Sequence, residues 1–247
     1  MNNLPYYALS ALAVLITLTV HEYAHAYAAY KMGDPTAKNL GRLTLNPLKH
    51  LDPIGAICMI FFHFGWAKPV PINARNFKNP RRGFALSALA GPMINLIIAF
   101  LSAPIFMLLE KSLPRLILSG HFNDFSFNLT YNTAIFFLIF HSVNLGIAIF
   151  NLIPVPPLDG SRILGLLLPP KYYFAIMRHE RTIYHVLIGW LLIGNIISDA
   201  ALSLPFIANN PALAIPAFCL SLSNILGFAI DGMSWLITSF WSLFPFI

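Results

Sequence analysis

His21-Glu22-Tyr23-Ala24-His25 lies inside an apolar run. On a helix, His21 and His25 are one turn apart and project from the same face. That spacing brings two imidazole nitrogens to one metal ion, and zinc is the usual occupant. Glu22, one position on, is placed to take a proton from a water that the metal polarises. A carboxylate in so apolar a stretch is costly to keep without a partner or a task. A catalytic zinc takes three protein ligands and keeps one position open, so a third donor is required. Asp159, His50, His63 and Glu180 are the candidates. Asp159 is favoured, because the run from Asn151 to Gly160 carries Pro154, Pro156 and Pro157, which end a helix and pin Asp159 just beyond it. His50 and His63 suit loop hydrogen bonding or the membrane interface. Glu180, between His179 and Arg181, suits a solvated position. A purely structural alternative for Asp159 is a turn, or a cap on a helix starting near Ser161.

The elements that must hold these residues are membrane helices. The chain is 57% hydrophobic and 10% charged, with a mean hydropathy of +0.71. A soluble domain has about a quarter of its residues charged, so this is a membrane protein, in contact with the lipid bilayer. The excess of Lys and Arg then marks cytoplasmic loops rather than a nucleic-acid partner. Cys58 and Cys219 have no metal-type spacing and imply no disulfide framework. Residues 1–247 read as a single domain, with the motifs in about residues 5–170 and C-terminal helices in about 183–247. Met1 to Val20 has no basic residue, so the first span is expected to be retained rather than cleaved as a signal peptide.

Spans are expected at about Pro5–Tyr30, Phe84–Leu109, Thr133–Ile153 and Ile183–Leu204, each near the ~20 residues a bilayer requires. A fifth apolar segment starts near Ala212. Asp231-Gly232 interrupts it, so residues 233–247 either span the membrane or lie on it. Within the basic stretch from Lys31 to Gly83, the apolar run Ile54–Phe64 is too short to cross and reads as re-entrant or interfacial. Gly41–Leu45 and Lys68–Ile72 read as extended, and residues 110–132 as a polar loop. The fold expected is an all-α polytopic membrane protein of about five transmembrane helices, with an extended or re-entrant segment between the first two. In the second span Ser87, Gly91 and Asn95 share one small, polar face that admits close helix approach, and Pro92 is expected to distort the helix. His141 and Asn144 suit interhelical hydrogen bonding in the third. The loops after spans one and three hold every Lys and Arg except Lys111 and Arg115. Both are therefore expected in the cytoplasm, with the N-terminus outside. His21, His25 and Asp159 then share one membrane face.

The chain resembles the site-2 proteases, intramembrane zinc metalloproteases, and their compact subgroup without PDZ or CBS domains. The resemblance rests on His21-Glu22-Tyr23-Ala24-His25, Gly91-Pro92-Met93-Ile94-Asn95 and Asn151 through Asp159-Gly160. Gly41-Arg42-Leu43-Thr44-Leu45-Asn46-Pro47 and Gly65 through Pro71 add to it. It covers about residues 5–170. It implies an all-helical enzyme with one zinc per chain, Asp159 as third ligand and Glu22 as catalytic base. It also implies that Asn95 and Asn151 line the site and bind the substrate backbone or the oxyanion. The substrate would be a transmembrane protein segment, cut at the cytoplasmic side of a bacterial-type cell membrane. A transmembrane helix must unwind before cleavage, since its carbonyls are hydrogen-bonded internally. The stretch Trp66–Ile72 is a candidate to pair with the unwound segment by strand addition. Nothing in the sequence sets the oligomeric state.

Two other functions use some of the same residues. A metal transporter needs buried His and Asp but has less use for Glu22, and paired broken helices are missing from the sequence. An inactive membrane scaffold needs none of these groups.

Overall fold

The computed structural model describes residues 4–53, 55, 67–118, 123–210, 212–213, 215, 219 and 221–244. It is all-helical, with one isolated antiparallel bridge, Leu51 to Ala67, and no strand among the described residues. In order the helices are α1 (Leu4–Lys31), α2 (Thr36–Asn39), α3 (Pro80–Leu118), α4 (Asp124–Leu152), α5 (Asp159–Leu167), α6 (Pro170–Arg178), α7 (Glu180–Leu202), α8 (Pro205–Ala208) and α9 (Leu222–Trp241). Four of them, α1, α3, α4 and α7, are long and apolar enough to cross a membrane. With the composition, these four make the chain an integral membrane protein. The C-terminal helix α9 runs unbroken through Asp231-Gly232 and packs on α3, α4 and α7.

The centre of the bundle is α1, α3 and α4. Small residues let these backbones approach: Ala13, Ala26 and Ala29 on α1, Ala85, Ala88, Ala99 and Ala103 on α3, and Ala148 on α4 are all buried. Ala99, Ala103, Phe106, Leu145 and Ile237 form one apolar cluster, which joins α3, α4 and α9. His141 bridges the same three helices, from Nδ1 to Ala99 O at 2.8 Å and from Nε2 to Ser234 Oγ at 3.0 Å. A second cluster, Leu158, Leu187 and Leu222, ties the lead into α5 to α7 and α9.

Several boundaries differ from the sequence reading. Helix α3 is 39 residues long and passes through Pro92, Pro104 and Pro114 without a break. Residues 124–132, expected in a polar loop, are the first turns of α4, where Asn123 caps the helix by accepting from Ser126 N–H at 2.8 Å. Polar residues are compatible with helix beyond the lipid, and that cap supplies the start signal. The segment 154–182, read as a loop, holds α5 and α6. Nine-residue helices are too short to announce themselves by periodicity, and tertiary contacts sustain them. Glu180, expected to be solvated, is partly exposed and pairs with Arg162 at 2.8 Å. Gly41–Leu45 is irregular rather than extended. The re-entrant reading of 54–64, apart from Gly55, and the candidate His63 lie outside the described residues.

Gly33 ends α1 at φ +108°, where Asp34 N–H reaches back to Ala29 O at 2.9 Å. Only glycine adopts that backbone cheaply, which is why the helix stops there. Asp34, fully buried, then gathers the connecting segment. It accepts from Thr36 N–H at 3.0 Å, Asn73 N–H at 2.7 Å and Asn76 Nδ2 at 2.6 Å, and also from the Thr36 hydroxyl. Burial raises its carboxyl; the hydrogen bonds from Thr36, Asn76 and Asn73 outweigh that and hold it below the usual carboxylate range. Residues 67–73 are thereby fixed against the end of α1.

Candidate metal centre

His21 and His25 occupy one face of α1, and both rings are buried against α3. The face of α3 that meets them is Ser87, Gly91 and Asn95. Ser87 O lies 2.8 Å from His25 Nδ1, and Asn95 Oδ1 lies 2.7 Å from His21 Nδ1. Between them Gly91 lies against both rings: a Cβ on it would stand 2.7 Å from His21 Cε1 and closer still to His25. The small polar face seen in the sequence is therefore the surface on which the imidazoles rest.

Asp159 is the first residue of α5, and the cap position is held by Leu158. The place of Asp159 is set by Gly160, whose missing side chain lets the start of α5 sit on the carbonyls of Leu152 and Ile153 at the end of α4. Ser161 Oγ donates to Leu158 O at 2.7 Å. Arg81, at the start of α3, donates to Gly165 O and to Leu168 O, the latter at 2.6 Å, and ties down the far end of α5.

Three atoms converge. His21 Nε2 and His25 Nε2 are 3.0 Å apart, and Asp159 Oδ2 is 3.3 Å from the first and 3.2 Å from the second. A tetrahedral zinc with bonds of about 2.0–2.1 Å needs donors about 3.3–3.4 Å apart, close to this triangle. The proton positions fit the same geometry. Ser87 O can only accept, so His25 Nδ1 carries the hydrogen; Asn95 Oδ1 requires the same of His21. Both Nε2 atoms then present lone pairs to one point. Asp159 Oδ2 is buried there with no hydrogen-bond partner of acceptable geometry. Three convergent donors, free of protons when both rings are neutral, suit a divalent cation, and among the described residues this is the one cluster of that kind.

Glu22 is buried beside them, and its Oε2 accepts from Val70 N–H at 3.0 Å. This contact was not visible in the sequence, and it changes the reading of 67–72, the described part of the stretch Trp66–Ile72. Lys68 N–H donates to His50 O at 2.8 Å, Val70 N–H is used by Glu22, and Pro69 and Pro71 have no N–H. The stretch keeps few donors for a substrate strand. His50 Nε2 pairs with Thr44 O at 2.7 Å, so His50 serves its loop. Glu180, paired with Arg162, is not in the cluster.

A cavity of about 520 Å³ opens from His21 and Glu22 between α1, α4, α7 and α9. Its wall is apolar, with Val14, Leu18, Phe150, Leu187 and Leu191, and Asn151 is its polar member on α4. Asn95 is placed otherwise. Expected to meet substrate, it is fully buried behind His21, with Oδ1 on His21 and Nδ2 donating to Asn144 Oδ1 at 2.9 Å.

The sequence matches the family model described as Peptidase family M50 over residues 9–193. It is 44% identical over 177 residues to "Putative zinc metalloprotease YwhC" of Bacillus subtilis (strain 168), covering 69% of this chain and 76% of that protein. It is 27% identical over 191 residues to "Putative zinc metalloprotease Rip2" of Mycobacterium tuberculosis, covering 71% and 67%. Against "Zinc metalloprotease MJ0392" of Methanocaldococcus jannaschii it is 27% identical over 175 residues, covering 70% and 38%. No solved structure matches.

Proposed function

The chain belongs to peptidase family M50, the site-2 protease family of metallopeptidases, and we propose that it is an intramembrane zinc-dependent endopeptidase. In this reading it hydrolyses peptide bonds in or near transmembrane helices of membrane-protein substrates, with one zinc per chain on His21, His25 and Asp159. The observation that carries the reading is the buried triangle of 3.0, 3.2 and 3.3 Å edges, beside Glu22, at the end of an apolar cavity. Zinc bound there supplies a Lewis acid that polarises the scissile carbonyl and lowers the pKa of a water to about 7.

The chain's residues do the rest. Glu22, its rotamer fixed by Val70 N–H, takes the proton of the attacking water and returns it to the leaving amine nitrogen. The apolar wall excludes bulk water and receives the side chains of an unwound helix segment. Asn151, on the cavity wall, binds the substrate backbone or the oxyanion. Asn95 acts from behind, on His21. The basic residues of 31–83 and 154–182 support a cytoplasmic position for both segments, an outer N-terminus, and an active site toward the cytoplasmic side of a bacterial-type cell membrane. Residues 1–247 act as one domain.

The test uses purified protein in detergent with a transmembrane peptide and a zinc chelator. Cleavage should stop on chelation and return with zinc. Glu22→Gln should keep zinc near one per chain and lose about 10²–10⁴ in rate. Asp159→Asn should lose zinc affinity as well as activity. Parental cleavage by Glu22→Gln would refute the role of Glu22, and metal transport without cleavage would favour a transporter.

A further inference from the structure

The carboxamide of Asn144, on α4, is one residue removed from His21: it contacts Asn95, and Asn95 contacts His21. We infer that Asn144 is a positioning residue that sets the tautomer of His21 through Asn95, and so keeps His21 Nε2 available to the metal.

An asparagine amide has an accepting end and a donating end, and by itself Asn95 can offer either one to His21 Nδ1. If its NH₂ faced the ring, Nδ1 would have to accept, and the ring proton would move to Nε2. Nε2 would then carry a hydrogen into the point where Asp159 and His25 converge, and could not bind a cation. The choice is made on α4. Asn144 Nδ2 donates to Phe140 O at 2.7 Å, and a carbonyl can only accept. The same Nδ2 donates to Thr17 Oγ1 of α1 at 2.9 Å. Asn144 Oδ1 is thus left facing α3, where only a donor satisfies it. Asn95 Nδ2 fills that place at 2.9 Å, and Asn95 Oδ1 must turn to His21.

Thr17, Asn95 and Asn144 are completely buried, so no bulk water substitutes for a lost partner. Reversing either amide would set two N–H groups, or two oxygens, against each other inside an apolar bundle, which burial penalises. The relay begins at a main-chain carbonyl, which cannot rotate. It crosses from α4 to α3 to α1, and Asn144 hydrogen-bonds both of the other helices.

This inference rests on the reading that His21 Nε2 binds zinc. The experiment measures zinc affinity of the full chain in detergent by competition with a chromophoric chelator, alongside thermal unfolding. Asn144→Leu keeps an apolar helix but releases Asn95; zinc should bind about 10- to 100-fold more weakly, as for other outer-shell partners. Asn144→Ser, whose hydroxyl is too short to reach Asn95, should show the same loss and serves if the leucine variant does not fold. The decisive arm is Asn95→Asp in each of these backgrounds. A carboxylate offers His21 an acceptor whichever way it turns, so it should restore most of the affinity. Parental zinc affinity in both Asn144 variants would overturn the inference. So would failure of Asn95→Asp to rescue when that change alone binds zinc normally. His21→Ala in the same titration separates the two readings: undiminished zinc binding there would mean that the site itself is wrong.

Discussion

Gly91→Ala adds a single methyl group, yet it should damage the metal centre more than many larger changes. Its Cβ would stand 2.7 Å from His21 Cε1, and nearer to His25 Cε1 and Nε2, where ordinary contact begins at 3.4 Å. The rings must retreat by about 0.7 Å or more to relieve it. Neither is free to do so, since Ser87 O and Asn95 Oδ1 hold their Nδ1 atoms. Overpacking of this kind costs about 1–3 kcal/mol. Metal–ligand distances tolerate only about ±0.2 Å, so the strain falls on the coordinating geometry. At about 1.4 kcal/mol per tenfold, zinc should bind about 5- to 140-fold more weakly. Competition with a chelator measures this directly, and cleavage should fall in parallel. Gly227→Ala is the control, because nothing lies within 4 Å of a Cβ at that position. Zinc affinity in Gly91→Ala equal to that of the control would refute the account of α3 as a fitted backing for the two rings.

Three further outcomes are expected. Val70→Pro removes the N–H that holds Glu22 Oε2 without disturbing the ligands; loss of such a charge-assisted bond, about 1.5–3 kcal/mol, should slow cleavage about 10- to 100-fold with zinc content unchanged, and an unaltered rate would show that Val70 does not position the base. Asp34→Asn turns a donor toward Asn73 N–H and should lower thermal stability at neutral pH. Because the folded Asp34 carboxyl lies below its ordinary value near 4, its contribution is present above about pH 4 and is lost as pH falls through the lowered value. The stability gap between parent and variant should therefore close in that acid range, and a gap independent of pH would refute the assignment. Cysteines placed at Asn39 and Lys171 should resist labelling from outside intact cells, and labelling of both would overturn the orientation drawn from the basic loops.

The parts of this site that are local in sequence were legible. His21 and His25 are related by the helical repeat, which needs no tertiary knowledge. Ser87, Gly91 and Asn95 share a face for the same reason, although their partners could not be named. Asp159 stood out because prolines restrict the chain before it, but what seats it is Gly160 against the carbonyls of Leu152 and Ile153. That contact joins two helices and has no periodic signature. The pairings Glu22–Val70 and Asn95–Asn144 connect residues 48 and 49 positions apart. Single-sequence patterns hold no information on such crossings. Asn95 shows the cost: its motif marks it as important, and only the packing of α4 shows that it faces the back of an imidazole rather than the cavity. Helices α5 and α6 were read as loop, with a helix near Ser161 only as an alternative, because nine residues give about two and a half turns of pattern.

The three converging donors are mounted unequally. Two are carried by a single rod, and their separation is guaranteed by the pitch of α1 whatever its surroundings do. The third hangs on a corner, where α5 leans on the end of α4 and is strapped to α3 by Arg81. Mechanical tolerance at this centre is therefore lopsided. A disturbance of the bundle tends to carry the imidazole pair along as one piece, whereas a disturbance of the corner shifts one vertex of the triangle and leaves the other two in place. Wear in such a fitting would begin at Asp159.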